Sequence, residues 1–236
     1  MISKISSENL YINSYARLVE RFHFSFGDYL DAENGQFGVL NALNEFILEP
    51  GAGFSTHAHK EMEIISYCLD GELTHVDNMG NRDVIRRGDI QYLSAGTGIL
   101  HSEMNESNNE SLHFYQIWIN PSKQGLTPYY VRRSLEEQAQ RNKFMKIASG
   151  EQDDGLVQVR QDANIYVANL SNGKHTMFAN LARRQCFLLC LEGSVKINGD
   201  LLRKRDALKV FGATKLEIFA GEDSHLLMIE MASNEN

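Results

Sequence analysis

The sequence predicts an all-β chain of two β-barrel domains in tandem. Three observations carry that expectation: apolar residues come in short runs bounded by Gly, Asn and Asp, the length suits two cores, and a short motif occurs twice. The 236 residues are long for one small domain and sufficient for two of about 100 to 120 residues each. Short strands with frequent turn signals are the pattern of sandwiches and barrels, in which every second side chain enters the core.

Taken in order, the runs Phe37 to Leu48, Glu63 to Leu69, Ile90 to Leu93, Leu112 to Ile119, Leu156 to Val159, Cys186 to Leu191 and Leu226 to Met231 read as strands. Asp77-Asn78-Met79-Gly80-Asn81 and Ile197-Asn198-Gly199-Asp200 read as the turns of hairpins. One segment breaks the pattern. Ser134 to Lys143 is polar and free of Gly, and Ser134 followed by Glu137 fits a capping box, so a short helix is expected within a connection running from Pro121 to Lys143. The domains are accordingly placed at residues 1–133 and 134–236.

The repeat consists of Cys68-Leu69-Asp70-Gly71-Glu72-Leu73 against Cys190-Leu191-Glu192-Gly193-Ser194-Val195, each closing an apolar strand and opening a hairpin. A second match follows, Arg86-Arg87-Gly88-Asp89-Ile90 against Lys204-Arg205-Asp206-Ala207-Leu208.

Composition excludes several classes. Hydrophobic residues at 42% and charged residues at 23% argue against disorder. A net charge of −8 disfavours a nucleic-acid surface, which needs clustered Lys and Arg. Cys68, Cys186 and Cys190 lie inside apolar runs without paired spacing, so buried free thiols and a reducing cytoplasm are expected. Met1 to Asn9 is polar, and no stretch approaches the ~20 apolar residues of a membrane span, so neither secretion nor membrane insertion is expected.

The chemistry concentrates in two short segments. Pro50-Gly51-Ala52-Gly53-Phe54-Ser55-Thr56-His57-Ala58-His59 carries two imidazoles at i and i+2, and on a strand such residues share a face. Gly96-Thr97-Gly98-Ile99-Leu100-His101-Ser102-Glu103 repeats the spacing with a third imidazole and a carboxylate. Either pair alone is more easily a solvated strand face. On facing strands, His57, His59, His101 and Glu103 would together make an N₃O set for one divalent transition metal. The absence of thiolates disfavours structural zinc, and three histidines disfavour Mg²⁺ or Ca²⁺. Fe(II) is the first expectation, with Ni, Cu, Mn, Co or Zn as alternatives.

These residues resemble those of the cupins, and more narrowly of the pirin and quercetinase-like bicupins. The first cupin motif matches Gly51, His57, His59, Glu63 and Gly71; the second matches Gly88, Gly98, His101 and Asn105. Pirin-like stretches are Arg21-Phe22-His23-Phe24-Ser25-Phe26-Gly27, Ser94 to Glu103, and Leu112-His113-Phe114-Tyr115-Gln116-Ile117-Trp118-Ile119, so the likeness is strong over residues 10–130 and weaker beyond. The resemblance implies two cupin-type barrels, that is, double-stranded β-helices. Many cupins place a glutamate ligand where this chain has Ile64. Glu63, one residue earlier, is turned to the opposite strand face and is not expected to bind metal. Pirin-like proteins use the later carboxylate, which maps onto Glu103.

Counting from Gly71 and Asp89, the equivalents of His57, His59, His101 and Glu103 in the second half are Ala179, Leu181, Ile218 and Ala220. Only His175 and His225 remain there, so the second barrel is expected to lack metal ligands.

The resemblance implies a dioxygenase of quercetin 2,3-dioxygenase type, acting on a flavonol-like aromatic substrate with O₂, with Glu103 as catalytic proton acceptor. The rival is a non-enzymatic, redox-sensing metal protein that binds a protein partner, since fold alone does not fix function. His113 is expected to be a hydrogen-bonded core histidine, and His23 and His75 structural or exposed. Trp118 is expected in the core more than in a pocket wall. Arg86-Arg87 is too short a basic patch to bind nucleic acid.

Overall fold

The computed structural model describes residues 1–135, 141–152, 156–179, 183–213 and 215–233. Their regular structure is β-strand apart from a short 3-10 turn at Ser7–Asn9, and none of their helices is long and apolar enough to cross a membrane. The chain divides into two compact units. One comprises Tyr11–Leu135 with Val159–Gln161, the other Met1–Leu10, Glu136–Gln158 and Asp162–Asn236. The first ten residues, assigned above to the N-terminal domain, thus belong to the second unit, because β1 (Ile2–Ile5) completes the edge of its sheet.

The N-terminal barrel is built from β2 (Tyr11–Tyr15), β3 (Leu18–Phe22), β4 (Leu40–Leu48), β5 (Gly53–His59), β6 (Glu63–Asp70), β7 (Glu72–Asp77), β8 (Arg82–Arg86), β9 (Asp89–Ser94), β10 (Ile99–Met104), β11 (Leu112–Ile119) and β12 (Tyr129–Ser134). They form a seven-stranded sheet in the order β12-β9-β6-β11-β4-β3-β2 and a four-stranded sheet in the order β5-β10-β7-β8, all pairs antiparallel. Strand alternation makes Phe46, Leu48, Cys68, Leu112 and Phe114 the apolar floor of the barrel, packed on Leu73 and Ile85.

The C-terminal barrel repeats this plan. β13 (Met145–Ser149), β14 (Val157–Gln158), β15 (Ala163–Leu170), β17 (Arg184–Glu192), β20 (Ala207–Phe211) and β22 (Ser224–Ala232) join β1 in the larger sheet, and β16 (His175–Ala179), β18 (Ser194–Ile197), β19 (Asp200–Arg203) and β21 (Lys215–Ala220) form the smaller one. The helix expected over 134–143 finds no support at its ends. Ser134 closes β12 and its hydroxyl donates to Asp89 at 2.6 Å, while 136–140 lie outside the described residues. The connection from Pro121 therefore contains a strand: β12 pairs along the whole of β9, where Arg132 also meets Asp89 at 2.7 Å.

The sequence repeat corresponds to a structural one. Gly71 and Gly193 each join two strands with a single residue at φ near +75° (74° and 75°), and the thiols of Cys68 and Cys190 approach the carbonyls on either side of the turn. Asp89 accepts from the Arg86 amide at 2.9 Å, as Asp206 does from the Arg203 amide at 3.0 Å. All three cysteines are buried and unpaired, and burial pushes each thiol up to about 12.

A methyl group at Gly71 would meet the Ser111 carbonyl oxygen at 2.4 Å, in a backbone conformation side chains rarely adopt. Gly71→Ala should lower the stability of the N-terminal barrel by roughly 1–3 kcal/mol, read as a lower melting temperature of the full chain.

Candidate metal centre

The centre is made by one strand pair. β5 and β10 run antiparallel with His101 directly opposite His57, and His59 lies two residues further along the same face of β5. Gly53 permits the close approach of the two strands: a β-carbon there would meet the Glu103 carbonyl oxygen at 2.4 Å. The register shifts between His101 and Glu103, so that Phe54 rather than Ser55 stands opposite Glu103. Phe54 packs edge-on against Phe46 of the barrel floor, which anchors the start of the imidazole strand.

Three ring nitrogens converge. Nε2 of His57 lies 3.0 Å from Nε2 of His59 and 3.0 Å from Nε2 of His101. The Nδ1–H of His57 donates to the Ser55 carbonyl at 2.8 Å, so Nε2 is the nitrogen left to bind an ion. Burial, reinforced by the neighbouring imidazoles His101 and His57, depresses His59 to about 4. Burial with His57 and His75 depresses His101 to about 3. Both rings are therefore uncharged at neutral pH, the form in which an imidazole can give a lone pair to a cation. Two imidazole nitrogens each about 2.1 Å from one ion at right angles would stand about 3.0 Å apart, the spacing His57 shows to both His59 and His101.

Glu103 is buried and bonded at both oxygens. Ser66 Oγ and Gln91 Nε2 donate to Oε1 at 3.1 and 3.2 Å, and Gln116 Nε2 donates to Oε2 at 2.7 Å. Trp118 Nε1–H, which can only donate, meets Gln116 Oε1 at 2.8 Å and so turns the amide nitrogen toward Glu103. Gln116, Ser66 and Gln91 occupy paired positions on β11, β6 and β9, forming a polar layer above the apolar floor.

Of the four residues singled out, the structure gathers His57, His59 and His101 as one group of ligand atoms. Glu103 belongs to an adjoining group with His101 and His75, and its charge reaches His59. Glu63 faces the opposite side of β6, where it takes Tyr92, Ser94 at 2.7 Å and the Arg160 amide at 3.2 Å as partners. His113 donates to Glu45 at 2.7 Å on the far face of β11. His23 is buried, and burial holds it near 4 against the pull of Glu45.

Two further residues stand close to the centre. Trp118 is only partly buried, and its ring stands edge-on to His59 with centroids 4.9 Å apart, so it borders the centre. His75 is structural rather than exposed: it is fully buried, bonded to Asp77 and set beside His101. The signal available for His75 was its H-x-D spacing with Asp77, the same i, i+2 pattern as the other pairs.

In the C-terminal barrel the counted equivalents are displaced. Pairing of β18 with β21 sets Ile197 opposite Ile218 as His75 is opposite Glu103, so the counterparts of His101 and Glu103 are Leu216 and Ile218, not Ile218 and Ala220. Phe178, opposite Leu216, replaces Ala179 as the counterpart of His57; residue 181 lies outside the described residues. Leu216 and Ile218 belong to that barrel's apolar core, with Phe178 packed against it. Among the described residues, both candidate ligand groups lie in the N-terminal barrel.

Comparison with known proteins agrees with this architecture. The pirin family model matches residues 6–119, and the quercetinase C-terminal cupin model matches residues 146–231. A quercetin 2,3-dioxygenase of Escherichia coli strain K12 is 38% identical over 208 residues, covering 88% of this chain and 89% of that one. The chain belongs to the pirin family. Other pirins extend the likeness. A pirin-like protein of Caulobacter vibrioides is 36% identical over 216 residues, covering 91% of this chain and 93% of its own. The crystal structure of the bacterial pirin YhhW from Escherichia coli in complex with nickel(II) matches with a TM-score of 0.92 at 34% identity, covering 98% and 99% of the two chains. This chain is thus a tandem cupin, a pirin-family bicupin.

The depressed histidines predict an acid sensitivity. In the unfolded chain His23, His59 and His101 titrate near 6.5, but in the folded chain only near 4, 4 and 3. Between those limits the unfolded state binds more protons, so their contribution is complete above about pH 6.5 and is lost as pH falls toward 4. The melting temperature of metal-free protein should decline across that window, and a His59→Ala, His101→Ala double variant should decline less steeply. Equal slopes for the two proteins would contradict the assignment.

Proposed function

We propose that this pirin is a metal-dependent dioxygenase of the quercetin 2,3-dioxygenase type, holding one divalent transition ion through His57, His59, His101 and Glu103. The reading rests above all on one observation: the Nε2 atoms of His59 and His101 each lie 3.0 Å from that of His57, beside a partly exposed aromatic ring, Trp118. The relatives named quercetin 2,3-dioxygenase support the reaction class and a flavonol-like aromatic substrate with O₂. The nickel-bound pirin supports a divalent metal. Fe(II) remains the first choice of ion on ligand chemistry, ahead of Ni, Cu, Mn, Co or Zn.

A divalent transition ion held there supplies Lewis acidity toward a flavonol's enol oxygens and redox chemistry with O₂. The chain's residues supply the rest. His57, His59 and His101 hold the ion through neutral rings, two of them on the partly exposed rim of the barrel. Trp118, edge-on to Phe26 at 4.9 Å, offers an aromatic wall beside that rim for a flat substrate. Glu103 takes the flavonol hydroxyl proton onto a carboxylate oxygen, while Ser66, Gln91 and Gln116 keep that group in place.

Elemental analysis of the full chain should find one metal per chain, and the His57→Ala, His101→Ala double variant should lose it. Two ions per wild-type chain, or stoichiometric metal in the double variant, would overturn the site. Glu103→Gln should retain part of the metal but consume flavonol roughly 10²–10⁴-fold more slowly, followed as loss of the flavonol absorbance band under air. His59→Ala should lose metal and turnover together. Wild-type protein loaded in turn with Fe, Mn, Co, Ni and Cu that consumes no flavonol in an O₂-dependent manner would remove the catalytic reading and leave the metal site standing.

A further inference from the structure

We infer that Asp77 and His75 are positioning residues that fix the protonation pattern of His101, so that its Nε2 presents a bare lone pair to the metal. The inference rests on the metal-site reading above.

The side chain of Asp77 is fully buried together with that of His75. Oδ1 of Asp77 accepts from the backbone amides of Met79 at 2.9 Å and Asn81 at 3.0 Å. Oδ2 accepts from Asn81 Nδ2 at 2.8 Å and faces His75 Nε2 at 3.1 Å. Three donors already point at this carboxylate, so it is ionised and can only accept. His75 therefore carries its proton on Nε2.

The consequence passes through the ring. A neutral imidazole with the proton on Nε2 has a bare Nδ1, and Nδ1 of His75 faces Nδ1 of His101 at 3.5 Å. His101 satisfies that acceptor by carrying its own proton on Nδ1. Its Nε2 is then bare, and this is the nitrogen 3.0 Å from His57 Nε2. Asp77, His75 and His101 thus form a relay of orientation in which each group dictates the next.

The fold holds the relay still. On the paired strands His75 is opposite Glu103 and Asp77 opposite His101, so the relay crosses β7 and β10 diagonally. The His75 ring lies flat on Tyr130 of β12, with centroids 4.5 Å apart and planes 12° apart. The stack fixes the ring plane, in which Nε2 meets Asp77 and Nδ1 meets His101. His57 obtains the same pattern by a shorter route, from the Ser55 carbonyl of its own strand. Orientation of ligands by carboxylate or carbonyl partners is the general role of groups behind a metal centre.

The test uses two variants that separate packing from hydrogen bonding. His75→Phe keeps a ring to stack on Tyr130 but offers no acceptor, whereas His75→Asn loses the ring and can keep an oxygen near the former Nδ1. Melting of the metal-free full chain shows whether each folds. Co(II) affinity, measured by chelator competition, should fall about 10–100-fold in His75→Phe, and the visible Co(II) spectrum should change. His75→Asn should bind Co(II) more tightly than His75→Phe despite its poorer packing. Wild-type affinity and spectrum in His75→Phe, with His75→Asn the weaker binder, would overturn the inference.

A measurement on the wild type stands even if a variant does not fold. In ¹⁵N spectra of the Zn(II)-loaded chain, His75 should show its proton on Nε2 and His101 on Nδ1; a His75 proton on Nδ1 overturns the relay. If wild-type protein binds neither Co(II) nor Zn(II), or His57→Ala binds them equally well, the metal-site reading falls and the inference falls with it. If metal depends on His57 but not on the acceptor at position 75, only the relay is lost.

Discussion

The pairing of β5 with β10 is the constraint on which the centre depends. It sets His101 against His57 and brings their Nε2 atoms to 3.0 Å. The sheet enforces this spacing through features that contribute nothing else to the chemistry. Gly53 carries no β-carbon to hold the strands apart, and Phe54 is seated on Phe46 of the apolar floor. The stability of the barrel thus holds a ligand set that would not assemble in a free chain.

Polarity inside the barrel is layered, and the layers follow from strand period. Along β11, Leu112 and Phe114 face the floor, Gln116 faces Glu103 and Trp118 faces His59, all on one side of the strand. The same order runs along β6 as Cys68, Ser66 and Ile64. A buried carboxylate is costly unless its lone pairs are used, and Ser66, Gln91 and Gln116 use them. The C-terminal barrel has the same sheet order but places Phe178, Leu216 and Ile218 at the matching positions. Two copies of one scaffold therefore divide between a polar centre and a filled core, and a few inward positions make the difference.

Legibility in the sequence followed local signals. Leu112–Ile119 was read to its ends because its apolar run is bounded by polar residues, and the hairpins at Gly71 and Gly193 were visible in a repeated six-residue motif. β12 was not, because Tyr129–Ser134 is a polar edge strand that gains its structure from pairing with β9. Counting residues from the repeat misplaced the C-terminal counterparts, since loop lengths differ and only the register of β21 against β18 restores the match. His75 and Trp118 were undervalued for a related reason. A lone histidine or tryptophan on an apolar strand carries no mark of what stands across the barrel.

By itself the sequence determined the all-β class, the doubling of the barrel and four candidate ligands, because each depends on spacing of two residues along a strand or on a turn that needs glycine. The tertiary structure alone decided how those residues meet. It joined His57, His59 and His101, set Glu103 among three donors, and brought Asp77 and His75 behind His101. It also moved the first ten residues to the other unit. The physical reason is that hydrogen bonds between distant strands are fixed by register and burial, and neither is written in any window of the chain short enough to be read locally.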